Sequence, residues 1–384
     1  MSDKPTMEQI LDRFKQRGYI IDPQKIGQGA FASVYKAHRD YAIRISKDDK
    51  DEYDSSKAID HLNRRVCVRS HKLPFKNTHI LCTESTEKIG DYLVEILQGF
   101  DTDLMKFLTV EKINGNMVTY HDRVTFYELS MLNNGLKYLK NFNSIAGSMM
   151  DTVTMLHDNN LAHGDIKPSN ILLKINKVDP NEIDDYAVSD FDTLCVGIRN
   201  ILTDVFECEV SAGTPLFSTI ELVSQGRRGK RYDINIKKRS DLYAISLVIL
   251  MMWHGYTKFL SIFDNNYNSD GFFARRFQDM SKGTPEMDAK RDEFFKKLRA
   301  VNERKFSNIT TLYGKRQSNE TIVYTERLGH LVKTFHIIKN STDILDRTMS
   351  GRSVILPQAS QTGGFYDMAH DRYKQMYLQL KFEN

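Results

Sequence analysis

The sequence predicts an α+β chain in which strands crowd the N-terminal part and helices fill a larger C-terminal part. Three observations predict it. Strand-like segments flank a glycine pair in YIIDPQKIGQGAFASVYKA, residues 19–37. Apolar residues recur at helical spacing from Ile145 through Leu156 and again over residues 242–253. Between those helical stripes lies LAHGDIKPSNILL, residues 161–173, a polar turn that runs into a buried strand.

At 384 residues the chain can form two lobes, or one large domain with insertions, and bury a substantial core. Hydrophobic residues at 40% and charged residues at 27% are ordinary for a globular protein. A net charge of +4 is slight for this length, so no specific nucleic-acid binding is expected. Cys67, Cys82, Cys195 and Cys208 show no CxxC spacing and no metal-ligand pattern, which points to a reduced, intracellular setting, cytoplasmic or nuclear. No leader pattern opens the chain, and the longest apolar run, residues 242–253, is too short to span a bilayer. That run reads as a buried helix, and no membrane insertion is expected.

Taken in order, Met7, Ile10, Leu11 and Phe14 share one helical face and predict a short docking helix within residues 1–18. In the strand, glycine loop, strand pattern that follows, Gly27 and Gly29 let the backbone turn tightly and approach a phosphate without a Cβ in the way. Phe31 could cap that loop and Val34 could pack on an adenine ring, although two glycines alone also suit any tight hairpin. YAIRIS then reads as a strand carrying Ala42 and Arg44, and SSKAIDHLNRRVCVRS as a helix. THILCTEST reads as a strand, and GDYLVEILQGFDTDLMKFL as a strand, a linker and a short helix. Ile145, Met149, Val153 and Leu156 form a core stripe that leads to residues 161–173.

In that stretch an acid, a cation and an amide sit at fixed offsets, with the turn former Pro168 between the last two. Phosphoryl transfer can use such an order. Asp165 could take a substrate hydroxyl's proton, Lys167 could neutralise the moving phosphoryl group, and the Asn170 amide oxygen could ligate Mg²⁺. Any one of them alone fits a solvated turn equally well. The polar NKVDPNEIDD joins two short strands and delivers Asp190. Seven basic residues, Arg227, Arg228, Lys230, Arg231, Lys237, Lys238 and Arg239, cluster next, as a solvated loop or as a dock for an acidic substrate or partner. In the last third, Phe294, Leu298 and Val301 form one helical stripe and Ala369, Tyr373, Met376 and Leu380 another, with GRSVILPQASQTGGF as a loop.

Jointly these strings resemble the eukaryotic-type protein kinase superfamily, serine/threonine-like and divergent. LAHGDIKPSNILL is similar to its catalytic loop and IGQGAFASV to its glycine loop, with Ala32 where a third glycine is usual. DFD resembles its Asp-Phe-Gly, GTPLFSTIE its GTPxYxAPE, and SDLYAISLVIL its buried helix that opens with an aspartate. The elements follow in family order across roughly residues 19–253.

The resemblance implies a bilobal fold: a helix at 1–18, a β-rich N-lobe at 19–99, and a mostly helical C-lobe at 100–384 with an insertion near 109–134 and a divergent last third. It implies ATP and Mg²⁺, with Mn²⁺ as the alternative metal, and transfer to a protein serine or threonine hydroxyl. Asp165, Lys167 and Asn170 become the catalytic set, Asn170 and Asp190 the metal ligands, and Gly27, Gly29, Val34, Ala42, Arg44, Ile96 and Leu97 the nucleotide site. Glu95 falls at the gatekeeper position ahead of a hinge at 96–98. Thr214 would bond around Asp165 and Lys167, and Asp241 would take catalytic-loop amides from below. Glu221 would hold the loop through a C-lobe arginine, with Arg347 the candidate.

Four departures bear on activity. Arg44 stands where the family has a phosphate-binding lysine, and an arginine fork does not replace a compact ammonium. Residues 53–83 hold no glutamate to pair with it, which leaves Asp60 or Glu52 as the partner, unless both are surface charges. Asp192 replaces the flexible glycine and either restricts the backbone or adds an acid near the metal. Gly164 replaces an arginine that receives a phosphorylated loop, so activity or inactivity independent of loop phosphorylation is expected. A pseudokinase, a nucleotide-binding or scaffolding partner with little transfer, is therefore the alternative. A small-molecule or sugar kinase is less favoured, since GTPLFSTIE resembles a peptide-substrate loop.

Overall fold

The computed structural model describes residues 5–28, 32–37, 41–47, 79–81, 83–114, 117–209, 213–225, 231–263, 270–315 and 321–352. Gly29, Phe31, Glu52, Asp60, Cys67, Cys82, the helix expected at 55–70, most of the 351–365 loop and the stripe from Ala369 lie outside these residues.

Helix α1, Met7–Gln16, starts at a capping box in which the Thr6 hydroxyl accepts from the Gln9 N–H and the Gln9 side chain accepts from the Thr6 N–H. Its buried residues are Ile10 and Phe14, two of the four stripe positions. Together they remove about 3–5 kcal/mol worth of apolar surface from water. They rest on an antiparallel sheet of β1 (Ile21–Gln28), β2 (Ala32–Ala37), β3 (Tyr41–Lys47), β4 (Thr83–Ile89) and β5 (Tyr92–Gln98), ordered β1-β2-β3-β5-β4. Side chains alternate along a strand. Ile43 and Ile45 of β3 and Val94 and Ile96 of β5 turn toward the core under α1, which sends Arg44 and Glu95 to the opposite face.

After the sheet the chain is largely helical. Beyond the short β6 (Thr102–Asp103) and α2 (Leu104–Leu108), residues 109–122 form a hairpin of β7 (Thr109–Asn114) and β8 (Met117–Asp122). The expected insertion is thus ordered secondary structure, followed by α3, Phe126–Ser130. The Asp122 carboxylate pins it down by accepting from the backbone of Thr257 and Lys258, each at 2.9 Å. Those residues lie in α7 (Tyr256–Phe263), whose first turn presents orphan amides.

Helix α4 (Gly135–Asp158) buries Ile145, Met149, Val153 and Leu156, as their spacing requires, and leads through β9 (Leu161–Ala162) into the polar turn. Strands β10 (Ile171–Ile175) and β11 (Ile183–Val188) make the expected hairpin. Then come β12 (Cys195–Val196), β13 (Ile198–Asn200), β14 (Val205–Glu209), α5 (Ile220–Gln225) and β15 (Arg231–Asp233). Helix α6, Ile234–His254, is buried at every position from 240 to 254 and is the axis of the helical part. Among the described residues no single helix is long and apolar enough to cross a membrane. Around it lie α8 (Asp270–Met280) and two long helices, α9 (Pro285–Lys315) and α10 (Thr321–Met349), with α10 packed on α6, α4 and α9. Phe294 and Leu298 of α9 are buried in the shared core.

Candidate active site

The polar turn is held from below before any catalytic group is considered. Asp241, buried on α6, accepts the N–H of His163 and of Gly164, each at 2.8 Å, and His157 Nε2 lies 3.2 Å from it. His163 is also buried. Its Nε2 donates to the Ser189 carbonyl at 2.9 Å, which leaves Nδ1 to accept from the Asp165 N–H at 3.2 Å. Phe191 packs against the His163 ring at 4.8 Å. Sequence reasoning assigned no part to His163, although it sits two residues before Asp165.

Both oxygens of Asp165 are engaged. Oδ2 accepts from Lys167 Nζ at 2.5 Å; Oδ1 accepts from the Thr214 N–H at 2.8 Å and the Thr214 hydroxyl at 2.7 Å. Lys167 Nζ also donates to Thr214 Oγ1 at 3.0 Å, so the three residues close a ring of charge-assisted bonds. Burial opposes the charge on Asp165, but the bond and charge of Lys167 and the two Thr214 donors outweigh it and hold the carboxyl below its usual range. Asn170 Nδ2 donates to the Asp165 carbonyl at 2.8 Å. Gly213 lets the chain at Thr214 approach closely: a Cβ there would lie 2.4 Å from the Gly164 carbonyl oxygen.

The two expected metal ligands are linked through one residue. The Ser189 N–H and hydroxyl both donate to the Asn170 carbonyl, at 2.8 and 3.0 Å, and Asp190 follows directly in a left-handed conformation, φ 64°. Its carboxylate is half-exposed. Among the described residues no group of three or more potential metal-binding side chains occurs. One carboxylate plus one amide oxygen suits Mg²⁺, which draws its remaining oxygens from phosphates and water. Asp192 lies in the 3₁₀ turn Phe191–Thr193.

On the sheet side, Arg44 Nη1 donates to Glu95 Oε2 at 2.6 Å, and Arg44 Nη2 lies 3.9 Å from Asp190 Oδ1. Glu95 therefore does not stand at the back of the cleft as a gatekeeper alone; it is an ion-pair partner of Arg44, a role the sequence reading had offered to Asp60 or Glu52. The register explains it, because Arg44 and Glu95 are direct cross-strand partners on β3 and β5. The Thr83 hydroxyl donates to the second Glu95 oxygen at 3.2 Å.

The other residues expected at a nucleotide site are spread unevenly around this region. Val34 pairs with Arg44 on one side and Gly27 on the other. Ala42 is opposite Leu97, and Leu97 clusters with Leu81, Phe100, Leu172 and Ala187 between sheet and β10–β11 hairpin. Ile96 points into the core under α1, and residues 96–98 belong to β5, not to a free hinge.

Three other expectations need correction. The partner of Glu221 is Arg239, at 2.5 Å, and not Arg347. Of the basic cluster, Arg227, Arg228 and Lys230 lie outside the described residues, and the rest is not one solvated loop: Lys237 is fully buried, Lys238 donates to the His157 carbonyl, and Arg239 is paired, all on the first turns of α6. Cys195 and Cys208, which the sequence reading left unpaired, form a disulfide, Cα to Cα 5.7 Å, that ties β12 to β14.

The model of the protein kinase domain matches residues 21–317. This chain belongs to the protein kinase family. Its kinase fold is the N-terminal antiparallel sheet followed by the largely helical region. Its relatives are distant serine/threonine kinases. It is 23% identical over 266 residues, 66% of this chain and 54% of the relative, to MAP kinase-interacting serine/threonine-protein kinase 1 of Xenopus tropicalis. To the serine/threonine-protein kinase ATG1 of Eremothecium gossypii it is 24% identical over 63% of this chain and 25% of the relative. For the probable serine/threonine-protein kinase fhkC of Dictyostelium discoideum the values are 26%, 61% and 33%. The kinase chain thus spans about half the length of the first relative and less of the others.

Proposed function

We propose that this chain is an ATP- and Mg²⁺-dependent protein serine/threonine kinase. The observation that carries the reading is the Asp165 carboxylate held between Lys167 and Thr214, with Asn170 bonded to the same loop and joined through Ser189 to Asp190. Mg²⁺ bound with ATP supplies neutralisation of phosphate charge. Asn170 and Asp190 would hold it, and Arg44 would anchor phosphate beside the Gly27 turn.

A substrate hydroxyl reaching Asp165 displaces one of the donors now on its carboxylate, hydrogen-bonds there and delivers its proton as its oxygen bonds to the γ-phosphorus and the bond from that phosphorus to the β,γ-bridging oxygen breaks, so that ADP leaves. Lys167, already bridging Asp165 and Thr214, offsets the negative charge that develops on the transferred group. Thr214 fixes the carboxylate's orientation from the segment that a peptide would follow. A protein substrate of the serine/threonine class fits the lysine after Asp165 and the P-S-N sequence.

The pseudokinase reading keeps one specific support: Arg44 is bonded to Glu95 and also approaches Asp190, which ties the phosphate anchor to a metal ligand. Labelled ATP with Mg²⁺ or Mn²⁺ and a basic protein substrate separates the two. Transfer by the wild-type chain, lost in Asp165→Ala and Asp190→Asn, supports the kinase. Equal incorporation in all three would sink it, and thermal stabilisation by Mg-ATP without transfer would favour the pseudokinase.

A further inference from the structure

Lys237 is an unusual place for a cation. It lies in the first turns of α6, its side chain has almost no contact with solvent, and its Nζ donates to the Thr193 carbonyl at 2.9 Å. Thr193 in turn donates its hydroxyl to the His163 carbonyl at 2.8 Å. The catalytic loop and the first residues after Asp190 are therefore joined at Thr193, and Lys237 closes that junction from beneath.

Gly164 stands directly over the same ammonium. Its φ is +82°, and a Cβ there would lie 2.8 Å from Lys237 Nζ, 3.0 Å from Cε and 3.1 Å from the Thr193 carbonyl oxygen. Glycine at 164 and lysine at 237 thus fit one another: the space a side chain at 164 would claim is taken by a cation rising from α6. One helical turn further on, Asp241 accepts the amides of His163 and Gly164. Residues four apart share a helix face. Helix α6 therefore offers the loop an anion for its amides and a cation for the carbonyl of the following segment.

We propose that Lys237 is a positioning residue for phosphoryl transfer, an internal cation that locks the segment after Asp190 onto the catalytic loop without any loop phosphate. The proposal rests on the kinase reading above. Lys237 touches no reacting atom; it acts through Thr193 and His163 on the placement of Asp165. Its charge is also felt at Asp165 itself, and burial pulls its own pKa down to about 8 while Asp241 and Asp165 push it back up. The titratable groups that the elements around it carry near it include Asp241, Lys238 and Arg239 on α6, His157 and Asp158 on α4, His163, Asp165 and Lys167 in the catalytic loop, and Asp190 at the start of the segment.

The test compares the full chain with Lys237→Met, which keeps length without charge, and with Lys237→Gln as a milder second variant; Asp165→Ala marks the catalytic background. Steady-state transfer to a basic protein substrate is followed from about pH 6 to about pH 9.5, and amide hydrogen exchange is measured on the same samples. Lys237→Met is expected to lower kcat by about tenfold or more with the ATP KM within about twofold, and to flatten the fall in rate above about pH 8 that the proposal expects of the wild type. Amides of residues 193–197 should exchange about tenfold faster, while those of residues 242–250 stay unchanged. Wild-type kcat, pH profile and exchange in both variants would overturn the proposal. A wild-type chain no faster than Asp165→Ala would overturn the kinase reading instead, and the exchange at 193–197 would still decide the role of Lys237.

Discussion

Arg44 and Glu95 face each other across β3 and β5, with the guanidinium 2.6 Å from a carboxylate that is itself buried. Their pairing is set by strand register, so the position of Arg44, the proposed phosphate anchor, is built into the sheet. Removing the carboxylate takes the 2.6 Å acceptor from a largely buried cation that keeps Asp190 at 3.9 Å, a loss of about 1–3 kcal/mol. Glu95→Ala should lower the unfolding free energy by that amount, with the urea midpoint moving down by that value divided by m, and weaken Mg-ATP binding at least about tenfold, read by nucleotide titration. Glu95→Gln, which keeps an acceptor for Arg44, should fall between it and the wild type.

For Asp165 the direction of the pKa shift fixes the pH dependence. Burial opposes its charge, but Lys167 and Thr214 win and depress the folded pKa below the usual 3.8. A depressed carboxyl contributes stability above its unfolded pKa, and that contribution is lost as pH falls through the folded value. Its charge is therefore complete at neutral pH, and no acid limb of kcat/KM near neutrality belongs to it. Asp165→Asn should cut kcat by about 10²–10⁴ while the chain stays folded, and the stability that the charge contributes above about pH 4 should be missing from the variant, so that the two chains converge in stability as pH falls below that value.

How much of this was legible in the sequence depends on the distance over which each interaction is encoded. Asp165, Lys167 and Asn170 lie within six residues, so their geometry follows from one turn and could be read directly. The α1 face and the α4 stripe were legible for a similar reason, since helical periodicity is local. Glu95 could be placed on a strand, but its partner depended on which residue of β3 lies opposite, and register is a tertiary property. Arg239 was passed over for Arg347 because the helix carrying it also looked like part of a solvated basic run. Lys237 was hidden by the same run: neighbours in sequence, Lys237 and Lys238, differ in what they meet once α6 is buried.

The Cys195–Cys208 disulfide closes a short loop around the β13–β14 hairpin, 13 residues in sequence, next to the β9–β12 pair that enters the catalytic loop. A loop of that size restricts the unfolded chain by about 3 kcal/mol. Reduction, or Cys195→Ser with Cys208→Ser, should lower the unfolding free energy by that amount and the urea midpoint in proportion. It should also speed exchange of amides in residues 195–209 before those of α6. A midpoint identical with and without reductant would mean that the cross-link adds no stability.

Asp241 and Glu221 provide a contrast in what burial does to a carboxylate. Glu221 and Arg239 are both about two-fifths exposed, so solvent screens their pair, and Glu221→Ala should change stability by less than about 1 kcal/mol. Its expected effect is a raised KM for protein substrate, because the pair fastens the end of the segment that begins at Asp190. Asp241 is 1% exposed and accepts two loop amides that have no water to turn to. Asp241→Ala strands both and also takes the carboxylate one turn away from buried Lys237, at a combined cost of about 3–5 kcal/mol. Urea melts of the two variants side by side check the ordering: a larger loss for Glu221→Ala than for Asp241→Ala would mean that the loop is not held from α6.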